Sequence, residues 1–181
     1  MNTLKLISLL LDYPGDDLGA LLVATDGPQT SLGEVRRLDA RHLLDESERA
    51  QLAAFIDRQR GRTRSELESE YVQTFDMTPE HSLHLTHHIF GDDRGRGPAL
   101  IDLSEYYKSY GLQNIEGELP DYLPLMLEFA SQLEVDEARV FLADTSKVLG
   151  VLADNLDKSA SPYAPLVRMV RSVGTLTKLA A

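Results

Sequence analysis

The run Glu118-Leu119-Pro120-Asp121-Tyr122-Leu123-Pro124 leads straight into Leu125-Met126-Leu127-Glu128-Phe129-Ala130. Two prolines and two carboxylates stand where an apolar helix begins. Asp121 has the chemistry of an N-cap, since its side-chain oxygen can accept from the unpaired N–H groups of a first turn. Pro124 then falls in that first turn, where its missing N–H removes no intrahelical bond. A helix capped by Asp121 and running to about Leu133 is therefore expected. A start fixed this firmly serves either a well-defined turn or a site.

Outward from this run the same punctuation repeats. Asn2 or Thr3 opens a short apolar helix to Asp12, stopped before Pro14. Asp16 or Asp17 caps a second, to about Thr25. Asp26-Gly27-Pro28-Gln29-Thr30 reads as a loop, and the segment from there to His42 is ambiguous. Asp45 with Glu48 forms a capping box before Leu52, Phe55 and Ile56, and Gly61 suits the stop. Thr63 with Glu66 repeats that signal, and Leu67, Tyr71 and Phe75 follow four apart on one face. Thr78-Pro79 opens a helix through Phe90, and Pro98 opens another that ends at Gly111. An irregular loop covers about Gly111 to Pro120. Asp136 caps a long helix to about Ser159, and after Pro162 a last one carries Leu166, Val167, Val170 and Leu176. Helical spacing dominates and no convincing run of strict alternation occurs. The expected fold is an all-α, single-domain multi-helix bundle of roughly eight helices over residues 1–181.

The chain has 181 residues, 43% of them hydrophobic and 26% charged, which is ordinary for a globular domain. It has no cysteine, which excludes disulfides, thiolate nucleophiles and Cys metal sites. The apolar start to Leu11 is too short to span a bilayer and shows no small-residue cleavage site, so a cytoplasmic location is expected. Eighteen bases oppose 29 acids, a net charge of −11, which argues against nucleic acid as a partner. From Pro98 to Thr145, ten acids oppose only Lys108 and Arg139. That stretch is either a set of solvated helix faces or a field for a cationic partner such as a basic peptide.

Three groupings invite a chemical reading. Glu80, His84 and His88 lie four apart, a spacing that on one helix brings a carboxylate and two imidazoles to one metal ion. The simpler reading is histidines on an amphipathic helix, and the pattern is not His-Glu-x-x-His. Gly91-Asp92-Asp93-Arg94-Gly95-Arg96-Gly97 has glycines and arginines suited to a phosphate, but it matches no nucleotide fingerprint. A turn in which Asp92 or Asp93 pairs with Arg94 or Arg96 fits it better. No serine sits in a nucleophile elbow, and Glu118 with Asp121 is better explained by capping than by acid–base work. Recognition remains. Tyr71, Phe75, Phe90, Tyr122, Leu123 and Met126, rimmed by Glu118, Asp121 and Asp102, would suit an amphipathic helix carrying basic residues, although each could equally be core.

The ordered series Tyr71-Val72-Gln73-Thr74-Phe75-Asp76, His88-Ile89-Phe90-Gly91-Asp92-Asp93-Arg94-Gly95-Arg96-Gly97, Ala99-Leu100-Ile101-Asp102-Leu103, Tyr110-Gly111-Leu112-Gln113 and the Pro-Asp run resembles the NarJ family. These are assembly chaperones of respiratory nitrate reductase, within the wider group that includes the TorD and DmsD types. The likeness is dense from Tyr71 to Leu133, and Leu9-Leu10-Leu11-Asp12-Tyr13-Pro14 resembles the family's opening helix. The family's Glu-x-Pro-Asp-His motif falls on Glu118, Pro120 and Asp121, with Tyr122 in place of the usual His.

The resemblance implies a TorD/NarJ-like helical fold and no enzymatic activity. It implies a chaperone that binds the N-terminal segment of the nitrate reductase catalytic (alpha) subunit. That apo-subunit is held until molybdenum cofactor and iron–sulfur clusters are inserted, before docking on the membrane anchor. No cofactor of the chaperone's own is expected and no membrane insertion; contact with the cofactor-insertion machinery is left open. Together with the apolar faces and acidic rim read above, the expected peptide-binding residues are Tyr71, Phe75, Phe90, Asp102, Glu118, Pro120, Asp121, Tyr122, Leu123 and Met126. Tyr122 can donate a hydrogen bond and stack but does not protonate near neutrality, so peptide binding should depend less on pH there than in His-bearing relatives. A helical metal-binding protein using Glu80, His84 and His88, and a non-catalytic helical scaffold, are the competing readings.

Overall fold

Leu4, Leu6, Ile7, Leu10 and Leu11 are all at most 2% exposed, so the first helix is buried along most of its length. The computed structural model describes residues 1–23, 30–91, 93–112 and 117–175. Within them lie α1 (Thr3–Leu11), α2 (Asp16–Val23), α3 (Thr30–Leu38), α4 (Glu46–Gln59), α5 (Arg64–Tyr71), α6 (Leu85–Phe90), α7 (Arg96–Ser109), α8 (Leu123–Ala130), α9 (Val135–Ala143), α10 (Ser146–Lys158) and α11 (Ala164–Val173). A π-helical turn, Val72–Asp76, continues α5, and a 3₁₀ turn spans Pro79–His81. No strand occurs among the described residues; His84 and Tyr122 form an isolated antiparallel bridge. The fold is all-α, as the spacing predicts.

The core follows from the apolar stripes. In α10, Leu149, Leu152, Ala153 and Leu156 recur at the three- and four-residue spacing of one helix face, and each is at most 1% exposed. In α8 the same spacing carries Leu123, Met126, Leu127 and Ala130. The closest helix pairings are α10 with α11, α1 with α8, and α3 with α4. Polar contacts fix the α1–α8 pair: Asn2 Nδ2 donates to the Ser131 carbonyl at 2.7 Å, Ser8 Oγ to the Pro124 carbonyl at 2.7 Å, and Lys5 Nζ reaches Glu128 at 2.5 Å.

Most starts lie where the caps place them. Asn2 caps α1, accepting from Lys5 N. Asp45 with Glu48, and Thr63 with Glu66, close full capping boxes. Other boundaries differ. The single helix expected from Asp136 to Ser159 is two. Thr145 N and Thr145 Oγ1 both donate to the Leu142 carbonyl, at 3.1 and 2.7 Å, and turn the chain between α9 and α10. Asp136 lies inside the first turn of α9, and the capping box there is Glu134 with Glu137.

The helix expected from Thr78 to Phe90 shrinks to a 3₁₀ turn and the six residues of α6. Between them Ser82-Leu83-His84 is drawn out to pair with residues 121–123: Leu123 N donates to Leu83 O at 2.9 Å and Leu85 N to Asp121 O at 3.1 Å. Helix α7 begins at Arg96, two residues before Pro98. The ambiguous stretch before His42 contains α3, with Asp39 at its end buried under Thr3, Leu43 N, Leu44 N and Arg49, all of which donate to its carboxylate. The expected loop at Asp26–Gln29, the end of α2 at Thr25, Asp92, the middle of the Gly111–Pro120 loop, and Leu176 lie outside the described residues.

Candidate functional site

Asp121 does not cap the helix that follows it. Helix α8 starts at Leu123, its N-cap is Tyr122, and no side chain bonds its first turn; Pro124 does fall in that turn. Asp121 is instead 1% exposed and faces α6. Its carboxylate accepts from Thr86 N at 3.0 Å and Thr86 Oγ1 at 2.5 Å, while its carbonyl accepts from Leu85 N. It thereby satisfies two of the N–H groups that a helix start leaves unpaired. Arg96 supports this from α7, with Nε donating to Thr86 Oγ1 at 3.0 Å and Nη2 3.7 Å from the carboxylate. Burial works against the Asp121 charge, but the hydrogen bonds from His84 and Thr86 prevail and hold its carboxyl below the ordinary carboxylate value.

The rest of the run closes around His84. Its Nδ1 lies 3.3 Å from Asp121 Oδ1, its Nε2 4.0 Å from Glu118 Oε1, and its ring 5.2 Å from the Tyr122 ring. Pro120 contributes its carbonyl, which accepts from Tyr107 Oη at 2.8 Å. Tyr122 Oη donates to Asp12 at 2.9 Å and lies 2.7 Å from Tyr71 Oη. Tyr122 therefore donates, and its ring lies tilted by 33° to that of His84. Burial raises the Tyr71 and Tyr122 phenols well above their ordinary value.

A cleft of about 640 Å³ opens beside this knot, between α6, α7, α8, α9 and α10. Its walls are Leu85, Thr86 and Ile89 of α6; Ala99, Asp102, Leu103 and Tyr106 of α7; Asp121 and Met126; Val140 and Phe141 of α9; and Asp144, Thr145 and Val148 at the next corner. The volume is in the range that holds a ligand or several side chains of a partner. Among its 14 described lining residues three are acids and none is a base.

Of the ten residues expected to bind a peptide, the cleft brings together Asp102, Asp121 and Met126. Tyr71, Phe75 and Leu123 lie in the core, at 5%, 6% and 0% exposure, and Tyr71 and Phe75 pack ring against ring with Tyr13 and Tyr163. Phe90 is half-buried against Gly95, whose Cβ would come within 3.2 Å of its ring. Glu118 is exposed and, like Pro120 and Tyr122, belongs to the knot around His84 rather than to the cleft wall. Ile89, Val140 and Asp144 were not anticipated. Val140, at 56% exposure, is an apolar residue off the buried stripe of α9, and that mismatch is the signal that marks it; Ile89, at 59% exposure, stands four residues after buried Leu85 and has the spacing of core.

The metal reading loses its premise. Helix α6 begins after His84, so Glu80, His84 and His88 do not share a helix face; His88 Nε2 lies 2.7 Å from the Ser82 carbonyl. Among the described residues no group of three metal-ligating side chains gathers. In the glycine-rich turn, Asp93 Oδ1 accepts from Gly95 N at 2.7 Å and Arg96 turns to Thr86 and Asp121; of the expected pairing of Asp92 or Asp93 with Arg94 or Arg96, the part that rests on Asp92 lies outside the described residues. No helix among the described residues is long and apolar enough to cross a membrane.

The family model described as nitrate reductase delta subunit matches residues 41–168. A probable nitrate reductase molybdenum cofactor assembly chaperone, NarW of Escherichia coli (strain K12), is 34% identical over 166 residues, covering 92% of this chain and 65% of that protein. The nitrate reductase molybdenum cofactor assembly chaperone NarJ of the same organism is 40% identical over 99 residues, 55% of this chain and 42% of that protein. A probable NarJ chaperone of Bacillus subtilis (strain 168) is 32% identical over 168 residues, 93% of this chain and 85% of that protein. The chain thus spans just under two thirds of the NarW protein's length and less than half of the E. coli NarJ protein's.

Proposed function

The chain belongs to the nitrate reductase delta subunit family, and from that premise we propose that it is an assembly chaperone for nitrate reductase. In this reading residues 1–181 form one helical domain that works in the cytoplasm as a binding protein and not as an enzyme. It takes the N-terminal segment of the reductase's catalytic subunit into the cleft between α6 and α10. It holds the apo-subunit while molybdenum cofactor and iron–sulfur clusters enter the client, and releases it for docking on the membrane anchor.

The observation that carries the reading is the cleft itself. It is apolar on its floor, with Leu85, Met126 and Phe141 buried, and among the described residues the charges that line it are acidic. Apolar anchors supply affinity in such a groove, and charges supply orientation and on-rate. Met126 adds an adaptable side chain at the floor. The relatives named as assembly chaperones support the client class.

Calorimetric titration with a peptide of the first ~15–20 residues of the partner catalytic subunit, an amphipathic helix of a few turns, tests this directly. Saturable binding that is lost on scrambling the peptide and weakened by Met126→Ala is the expected result. Absence of heat at accessible concentrations, with the same peptide bound by a known family chaperone, would reject it.

A further inference from the structure

We propose that Asp102 and Asp144, and not Asp121, read the charge of whatever docks in the cleft, and that they select a segment with basic residues on both sides of an apolar patch. The inference rests on the proposed docking function and divides labour among the three acids of the cleft.

Asp121 is the acid that the sequence marks, but it is spent. It is 1% exposed, and its carboxylate already meets Thr86 N, Thr86 Oγ1 and His84, with the Arg96 guanidinium 3.7 Å away. A carboxylate so saturated and so neutralised offers an incoming cation little, and drawing it out would strand the start of α6 and a half-buried arginine. It is a positioning residue that holds the cleft floor in shape.

Asp102 and Asp144 are the opposite case. Both are exposed, and neither forms an ion pair among the described residues. Asp102 projects from α7 and Asp144 from the corner between α9 and α10, so they come from different walls of the cleft. The apolar residues Ile89 and Val140, both more than half exposed, stand on these walls too. Two separated anions above an apolar trough complement a cation–apolar–cation pattern, and a single basic residue would satisfy only one wall. The negative field reaches Tyr106 on the α7 wall, whose phenol is pushed up to about 12 by its bond to Tyr110, then by burial, with Glu137 and Asp144 adding to the shift.

The test uses two fluorescent ~18-residue amphipathic peptides with the same Leu/Ala face, one flanked by lysines and the other by glutamates, beside the reductase peptide. The wild-type chain should bind the lysine peptide about 5–20-fold more tightly than the glutamate peptide at low salt, the worth of two screened pairs, with the gap closing near 0.5 M NaCl. Asp102→Asn with Asp144→Asn should abolish the preference, and Asp102→Lys with Asp144→Lys should reverse it. Asp121→Asn should weaken both peptides alike and leave the salt slope unchanged; circular dichroism confirms that the variant is folded.

A double variant that keeps the wild-type preference, or an Asp121→Asn chain that alone loses the salt slope, overturns the inference. If the reductase peptide binds but no charge preference exists, the inference fails while the docking function stands. If the lysine peptide shows the reversal but the reductase peptide does not bind, the inference stands and the client assignment fails. No binding of any peptide rejects both.

Discussion

Asp121 caps Thr86, a residue 35 positions earlier, and not the helix it introduces. Asp121 also closes the hydrogen bond of the preceding residue, Leu85, through its own carbonyl. The six-residue helix α6, too short to hold itself in water, exists because another segment supplies its cap.

Removing that cap therefore costs more than an ordinary N-cap. Asp121→Ala strips the first turn of α6 and leaves Arg96 beside an empty, buried space. A loss of about 2–4 kcal/mol is expected, or a Tm lower by roughly 5–15 °C. Urea unfolding of the two proteins measures it; a loss within 0.5 kcal/mol, the range of about ordinary surface changes, would show that Asp121 is not the cap.

The same residue gives an acid dependence of known sign. Its folded carboxyl is held low, so the unfolded chain binds the proton first as pH falls. Its stabilisation is present above about pH 4, the unfolded value, and fades as pH drops further through the folded value. The stability gap between wild type and Asp121→Asn should be constant above about pH 5 and narrow as pH falls below about 4, while the other carboxylates, common to both proteins, cancel. A gap that is flat or widens with acid contradicts the assignment.

Tyrosine gives the opposite limb. Tyr71, Tyr107, Tyr122 and Tyr163 are raised chiefly by burial, Tyr163 to about 12. Unfolded phenols ionise near pH 10, so the fold is stabilised below that value and loses stability above it. Absorbance at the tyrosinate band should show these four ionising together with loss of helicity. Smooth titration near pH 10 with helicity intact would mean that they are not buried.

Gly174 should not tolerate a methyl group. A Cβ there would lie 2.7 Å from both C and O of Leu142 and 3.0 Å from Ala143 N, the backbone of the α9–α10 corner. Gly174→Ala should destabilise by about 1–3 kcal/mol. Gly19→Ala, in open space within α2, should be neutral or stabilise by up to about 1 kcal/mol. Thermal melts of the pair decide it, and equal Tm values would refute the close approach.

Local chemistry in the sequence located much of this fold. Asn2, Asp45 and Thr63 act as caps because a cap depends only on residues within one turn. The failures at Thr78–Phe90 and at Asp121 involve distant partners, whereas the break after α9 is made locally, by Thr145 on the Leu142 carbonyl. Ser82-Leu83-His84-Leu85 alternates apolar and polar residues over just four positions, too few to outweigh helical spacing, yet pairing with residues 121–123 draws it straight. Asp121 has the same composition whether it caps Leu123 or Thr86; only the third dimension chooses. The cleft was less legible than the fold. Tyr71 and Phe75 have the look of a binding stripe and serve as core, whereas Ile89, four residues after Leu85, has the spacing of core and stands on the surface.

The pairing of α1 with α8 sets a schedule for synthesis. Ser8 bonds to Pro124 across 116 residues and Asn2 to Ser131 across 129. At about 5–20 residues per second, α1 waits roughly 6–25 s on the ribosome before its partner is made. During that interval Leu4, Leu6, Ile7, Leu10 and Leu11 have no α8 to cover them. By the proposed function this protein shelters a segment of another chain, and its own helix α1 goes through the same unsheltered stage.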